Sequence, residues 1–159
     1  MKNIKKGFSL IELLVVITII AALVGVALPN FLGARQRAKD AKKKAELREL
    51  KSALRLYYND FNSYPSGTGL YINGCGTTGT SQCPRTGPFQ AGPSGGETVY
   101  MKNLPADYNY NVHPLYPTDT DNFLSKVVLE NASDGDITTS QARCGYPTPT
   151  PGEYKLCAD

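Results

Sequence analysis

Residues 1–28 read MKNIKKGFSLIELLVVITIIAALVGVAL: seven residues with three lysines, then 21 residues with a single charge, Glu12. As a helix rising about 1.5 Å per residue, the apolar run spans about 31 Å, enough to cross the hydrocarbon core of a bilayer. The lysines before it belong on the cytoplasmic side by the positive-inside rule, with the rest of the chain facing outward. A secretory signal peptide has a shorter apolar core of roughly 7–15 residues, closed by small residues. The Ala27-Leu28-Pro29-Asn30 end of this run is a poor match to that pattern. A carboxylate at membrane depth costs on the order of 2.5–3.5 kcal/mol. Glu12 lies four residues after Phe8, on the same helix face. It is either a charge tolerated at the membrane edge or one that takes a cation from a partner. A cut after Gly7 would give Phe8 an α-amino group inside the membrane, able to pair with Glu12 of a neighbouring copy.

Beyond the run, residues 30–62 keep a helical period. Ala34, Ala38, Ala41 and Ala45 fall 4, 3 and 4 apart, and Leu47, Leu50, Leu54, Tyr57 and Phe61 fall 3, 4, 3 and 4 apart. Pro29 removes one backbone hydrogen bond and can kink the helix without ending it. Read as one element, residues 8–62 make a helix about 80 Å long. Gly25, Gly33 and the alanines permit close approach of another helix. Tyr64-Pro65-Ser66-Gly67 stops the helix, because proline biases the preceding residue away from helical angles. Residues 63–97 are rich in Gly, Thr, Ser and Pro and read as an extended surface loop. No lysine stands there, so the stretch is no phosphate-binding P-loop. Strands are predicted at Thr98–Met101, Tyr108–Val112, Phe123–Glu130 and Glu153–Cys157. The predicted fold is α+β: one long N-terminal helix, membrane-spanning in its first half, packed by its second half on a small antiparallel sheet.

Charge is segregated along this plan. Residues 30–60 carry nine basic and four acidic side chains, and residues 61–159 carry five and nine. The whole chain of 159 residues has a formal charge of +3, too mild to indicate nucleic-acid binding by composition. The stretch Arg35 to Lys44 reads as a solvated helix face, as a surface for lipid head groups or DNA, or as a partner for acidic heads of neighbouring copies. The single histidine, His113, precedes Pro114, which excludes a His-based metal cage. No nucleophile–base constellation is visible, so no enzyme is expected and no cofactor either. Asp119, Asp121, Asp134 and Asp136 are turn formers or calcium candidates, without the complete twelve-residue EF-hand pattern. Asn131-Ala132-Ser133 is a glycosylation sequon by pattern. Four cysteines in an extracytoplasmic, oxidising compartment predict disulfides, with three pairings open. Their spacing lacks the CxxC pairs of a zinc site.

Lys6-Gly7-Phe8-Ser9-Leu10-Ile11-Glu12, with the apolar run to Pro29, resembles the class III signal of type IV pilins and type II secretion pseudopilins. The segment LRLYYNDFNSYP at residues 54–65 is similar to the helix end of major pseudopilins. The resemblance implies that a membrane aspartyl peptidase cuts between Gly7 and Phe8 and N-methylates Phe8. It implies that Glu12 registers an incoming subunit and that the helix breaks near Pro29 in assembled filaments. The expected organisation is a leader (1–7), a transmembrane and assembly helix (8–29), an amphipathic helix (30–62), a Gly-rich loop (63–97), and a sheet with a disulfide-bounded tail (98–159). The sequential pairing Cys75–Cys83 and Cys144–Cys157 is favoured, the second because pilins often carry a C-terminal disulfide loop. Major pseudopilins bind calcium in a C-terminal loop, which keeps Asp119, Asp121, Asp134 and Asp136 as candidates.

The implied function is a structural subunit of a type IV pilus or a type II secretion pseudopilus. Its implied partners are other pilin subunits, prepilin peptidase, an assembly ATPase, an inner-membrane platform protein and the membrane, with no nucleic acid. The implied location is the bacterial inner membrane, single-pass with a cytoplasmic N-terminus, and then an extracytoplasmic or cell-surface filament. The alternatives are a minor or adhesive pilin that contacts a surface, DNA or an exported protein, and an unprocessed signal-anchored binding protein. Removal of the leader would leave 14 basic and 14 acidic side chains.

Overall fold

A computed structural model describes residues 8–112 and 120–158. The chain divides into two compact units, Met1–Ala38 and Lys39–Asp159. Helix α1 (Leu10–Phe61) begins in the first and ends in the second. Its backbone is helical through Pro29.

In the second unit, α1 presents Leu47, Leu50, Leu54 and Tyr57 as one buried stripe. Against it lies an antiparallel sheet in the order β2-β1-β5-β6-β7, built from β1 (Ser66–Gly69), β2 (Tyr71–Asn73), β5 (Asn109–Val112), β6 (Phe123–Val128) and β7 (Glu153–Cys157). Strands β3 (Phe89–Ala91) and β4 (Thr98–Met101) form a separate two-stranded sheet. A second helix, α2 (Gly135–Arg143), stands between β6 and β7 in the chain. The fold is therefore α+β with a long N-terminal helix, as expected from the sequence.

Two elements differ from the expectations. The Gly-rich segment is no plain surface loop: it contains β1, β2 and β3, and it buries Ile72 and Phe89 completely. Its glycines serve close approach more than flexibility. A Cβ at Gly67 would stand 2.9 Å from the Tyr110 ring, and one at Gly79 would stand 2.7 Å from the Phe61 ring. Tyr57 Oη then donates to Gly79 O at 2.7 Å, so the segment is hydrogen-bonded to the helix it covers. The second difference is α2, where only strand and tail were expected. Asp134 caps it by accepting from the Asp136 N–H, the ordinary role of aspartate at a helix start.

Cys75 is bonded to Cys83 and Cys144 to Cys157. The tail between α2 and β7 is further held by Gln141, whose side chain is wholly buried. Gln141 Nε2 donates to Thr150 O at 2.7 Å and to Glu153 O at 2.6 Å, while its Oε1 accepts the Thr150 N–H at 2.7 Å. Replacement by alanine takes this partner from the Thr150 N–H and from Glu153 O, while Thr150 O keeps the Glu153 N–H at 3.3 Å. Each such orphan costs about 1–3 kcal/mol, so Gln141→Ala should lower stability by about 2–4 kcal/mol. A thermal unfolding curve superimposable on that of the unaltered chain would refute this.

Candidate assembly site

The described residues of the first unit form no core of their own. Every described side chain from Phe8 to Leu32 is exposed, and Phe8 is 78% accessible. None of the apolar stretch long enough to cross a membrane is buried within the chain. Thr18 directs its hydroxyl back to Val15 O at 2.8 Å and Leu14 O at 3.1 Å, so it offers no free polar group to the surface. A helix apolar on all sides needs lipid or other apolar helices around it.

Glu12 is the one charge in this surface. Its Oε2 accepts the Ser9 N–H at 2.9 Å, and the Leu13 N–H reaches Ser9 O at 3.2 Å. Ser9-Leu10-Ile11-Glu12 is thus the serine-x-x-glutamate start of a helix, a signal legible in the sequence itself. One neutral N–H satisfies part of the carboxylate, and among the described residues no cation pairs with it. Gly7, the other half of the expected cleavage site, lies outside the described residues, as do His113 and Asp119.

The remaining candidates fall elsewhere. Asp121 Oδ1 accepts from Tyr58 Oη at 2.8 Å. Asp134 and Asp136 do converge, but on Lys44: Nζ lies 2.7 Å from Asp134 Oδ2 and 2.8 Å from Asp136 Oδ2. Among the described residues no group of three or more His, Cys, Asp or Glu could hold a metal ion. The basic stretch Arg35 to Lys44 is not simply a solvated face. Asp40 within it is 2% exposed, and its two oxygens accept the N–H groups of Glu130 and Asn131 at 2.8 and 2.9 Å. Lys39 reaches Glu130 at 2.7 Å, and Lys43 donates to Val128 O at 2.9 Å. Periodicity missed these contacts, because Asp40 and Lys44 look like any charged pair on a polar helix face.

The model of the prokaryotic N-terminal methylation motif matches residues 2–28. The type II secretion system core protein G of Vibrio cholerae is 33% identical over 109 residues, covering 67% of this chain and 68% of that protein. The chain belongs to the type IV pilin and type II secretion pseudopilin family. Core protein G of Escherichia coli is 31% identical over 103 residues, covering 65% of this chain and 66% of that protein. The type IV wide pilus major component PilA4 of Thermus thermophilus is 47% identical over 68 residues, covering 43% of this chain and 52% of that protein. The chain thus spans about half of the pilus component and about two thirds of the secretion proteins. No solved structure matches it significantly. Pilins and pseudopilins are structural subunits and not enzymes, and an apolar N-terminal helix behind such a motif fits a membrane-anchored filament subunit. The exposed stem is where that family membership and the geometry coincide.

Proposed function

We propose that this pilin-family chain is a prepilin, cut between Gly7 and Phe8, methylated at Phe8, and polymerised through its stem helix. The reading rests on one observation above the others. A helix exposed and apolar on every side carries a single carboxylate, one turn after Phe8. In the membrane, lipid covers the apolar surface; in a filament, the stems of other copies do. The new Phe8 amine of a neighbour would supply a cation for Glu12. Such contacts run head to tail and do not close, so a helical polymer is their product. In this reading the leader faces the cytoplasm, a membrane peptidase removes it, and an assembly ATPase with its platform protein extracts the subunit. Melting of the helix near Pro29 would accompany assembly.

Mass spectrometry of the N-terminal peptide tests this, on the membrane fraction and on sheared surface material. The expected peptide begins at Phe8 and is one methyl group heavier, and Gly7→Ala should leave most of the chain uncut. An intact Met1 start in every fraction would make the protein an ordinary membrane anchor. Abundant mature peptide in the sheared material identifies an extended pilus; its confinement to the envelope identifies a pseudopilus.

A further inference from the structure

We infer that Lys44 is a built-in cation for the turn between β6 and α2, and that this turn is ordered without calcium. The turn runs from Glu130 to Asp136, and α1 grips it at both ends. Asp40 takes the two N–H groups at its start, with both oxygens occupied. One helical turn later, Lys44 holds the two carboxylates at its end. The Lys44 side chain is 11% exposed, and its ammonium lies 5.8 Å from the centroid of the Tyr154 ring.

A calcium ion does not fit this donor set. Calcium takes 6–8 oxygen ligands at about 2.3–2.6 Å. Here the Oδ2 atoms of Asp134 and Asp136 meet a nitrogen at hydrogen-bond distance, and that nitrogen carries only donors. Asp134 Oδ1 is already engaged by the Asp136 N–H at 2.9 Å. A dication between the two carboxylates would face the ammonium directly, so Lys44 would have to leave its position under Tyr154. The local electrostatics agree. Burial works to lower the Lys44 pKa, but Asp134 and Asp136 outweigh it and hold it above its ordinary value. Lys44, aided by the Asp136 N–H, holds Asp134 below the usual carboxylate range. A raised lysine contributes stability below its unfolded pKa, and a lowered aspartate contributes stability above its own. Both partners therefore stay charged from mildly acidic to mildly alkaline pH, and the clamp needs no added ion there.

Amide hydrogen exchange of the full-length chain in detergent tests the inference without reference to filament assembly. The Asp136 and Ile137 amides report on the turn, since they donate to Asp134 Oδ1 and Asp134 O. In the unaltered chain their exchange should be the same in excess chelator and in excess calcium chloride. In Lys44→Gln it should be roughly ten- to hundredfold faster, the loss expected when charge-assisted bonds are removed. Slower exchange on adding calcium to the unaltered chain would overturn the inference, as would unchanged exchange in Lys44→Gln. Should that variant lose the whole head, seen as lost protection at β6, the comparison in the unaltered chain still decides.

Discussion

Cells carrying Glu12→Ala should contain normal amounts of subunit cut before Phe8, but about a hundredfold less filament. The factor follows from the cost of an uncompensated carboxylate at membrane depth, on the order of 2.5–3.5 kcal/mol, at about 1.4 kcal/mol per tenfold. In the proposed filament a neighbour's Phe8 amine removes that cost, and alanine forfeits the gain. Cleavage is unaffected in this account, because the cut lies before Phe8. The intrachain bond from the Ser9 N–H complicates the reading of alanine alone. Glu12→Gln separates the two roles. Glutamine can still accept from Ser9 and start the helix, since it serves in the same capping position, but it carries no charge. Filament yield should therefore stay low in Glu12→Gln. Recovery there would assign Glu12 to helix capping, and wild-type yield in Glu12→Ala would remove it from assembly altogether. Quantitative immunoblots of sheared or cross-linked filaments against total mature subunit measure both.

Asp40→Ala should destabilise the head by about 3 kcal/mol or more. Two backbone N–H groups lose a charged acceptor, and bonds to charged groups contribute about 1.5–3 kcal/mol each. The site is 2% exposed, so water replaces the carboxylate poorly. Asparagine keeps the shape and one acceptor oxygen, and Asp40→Asn should lose about half as much. Lys39→Ala, which removes only a half-exposed pair with Glu130, should cost at most about 1 kcal/mol. Thermal unfolding in detergent ranks the three variants. An Asp40→Ala midpoint equal to that of the unaltered chain would show that the turn after β6 does not depend on this carboxylate.

Much of this molecule could be read in advance. The apolar run and its lone charge placed the stem, because 21 apolar residues in helical form are long enough to cross a bilayer core. The 3-and-4 spacing from Leu47 to Phe61 placed the helix face that carries the core, and Leu47, Leu50, Leu54 and Tyr57 are indeed buried. Strands β4 and β7 have the expected bounds, and β5 and β6 differ by one or two residues at their ends. The Gly-rich segment misled because composition records flexibility but not proximity. Gly67 and Gly79 are small because Tyr110 and Phe61 lie against them. Helix α2 misled because nine residues containing Ile137, Thr138 and Thr139 have little intrinsic helix preference.

The candidate sites divide along the same line. The stem, Phe8 and Glu12 are legible because local order is enough: a period, a spacing of four, one charge in an apolar run. Their use in assembly involves other copies of the chain and so belongs to experiment. Asp40, Lys44 and Gln141 could not be found that way. Asp40 meets Asn131 across 91 residues, and Lys44 meets Asp136 across 92. Each is an ordinary polar residue until the fold brings backbone N–H groups, carboxylates or carbonyls to it. Periodicity thus determined which face of the second half of α1 is apolar and where the membrane-length run lies, since those depend on neighbours in sequence. Which polar side chains are buried, and what they hold, was decided by tertiary structure, because a buried charge or amide is tolerated only where distant chain segments supply its partners.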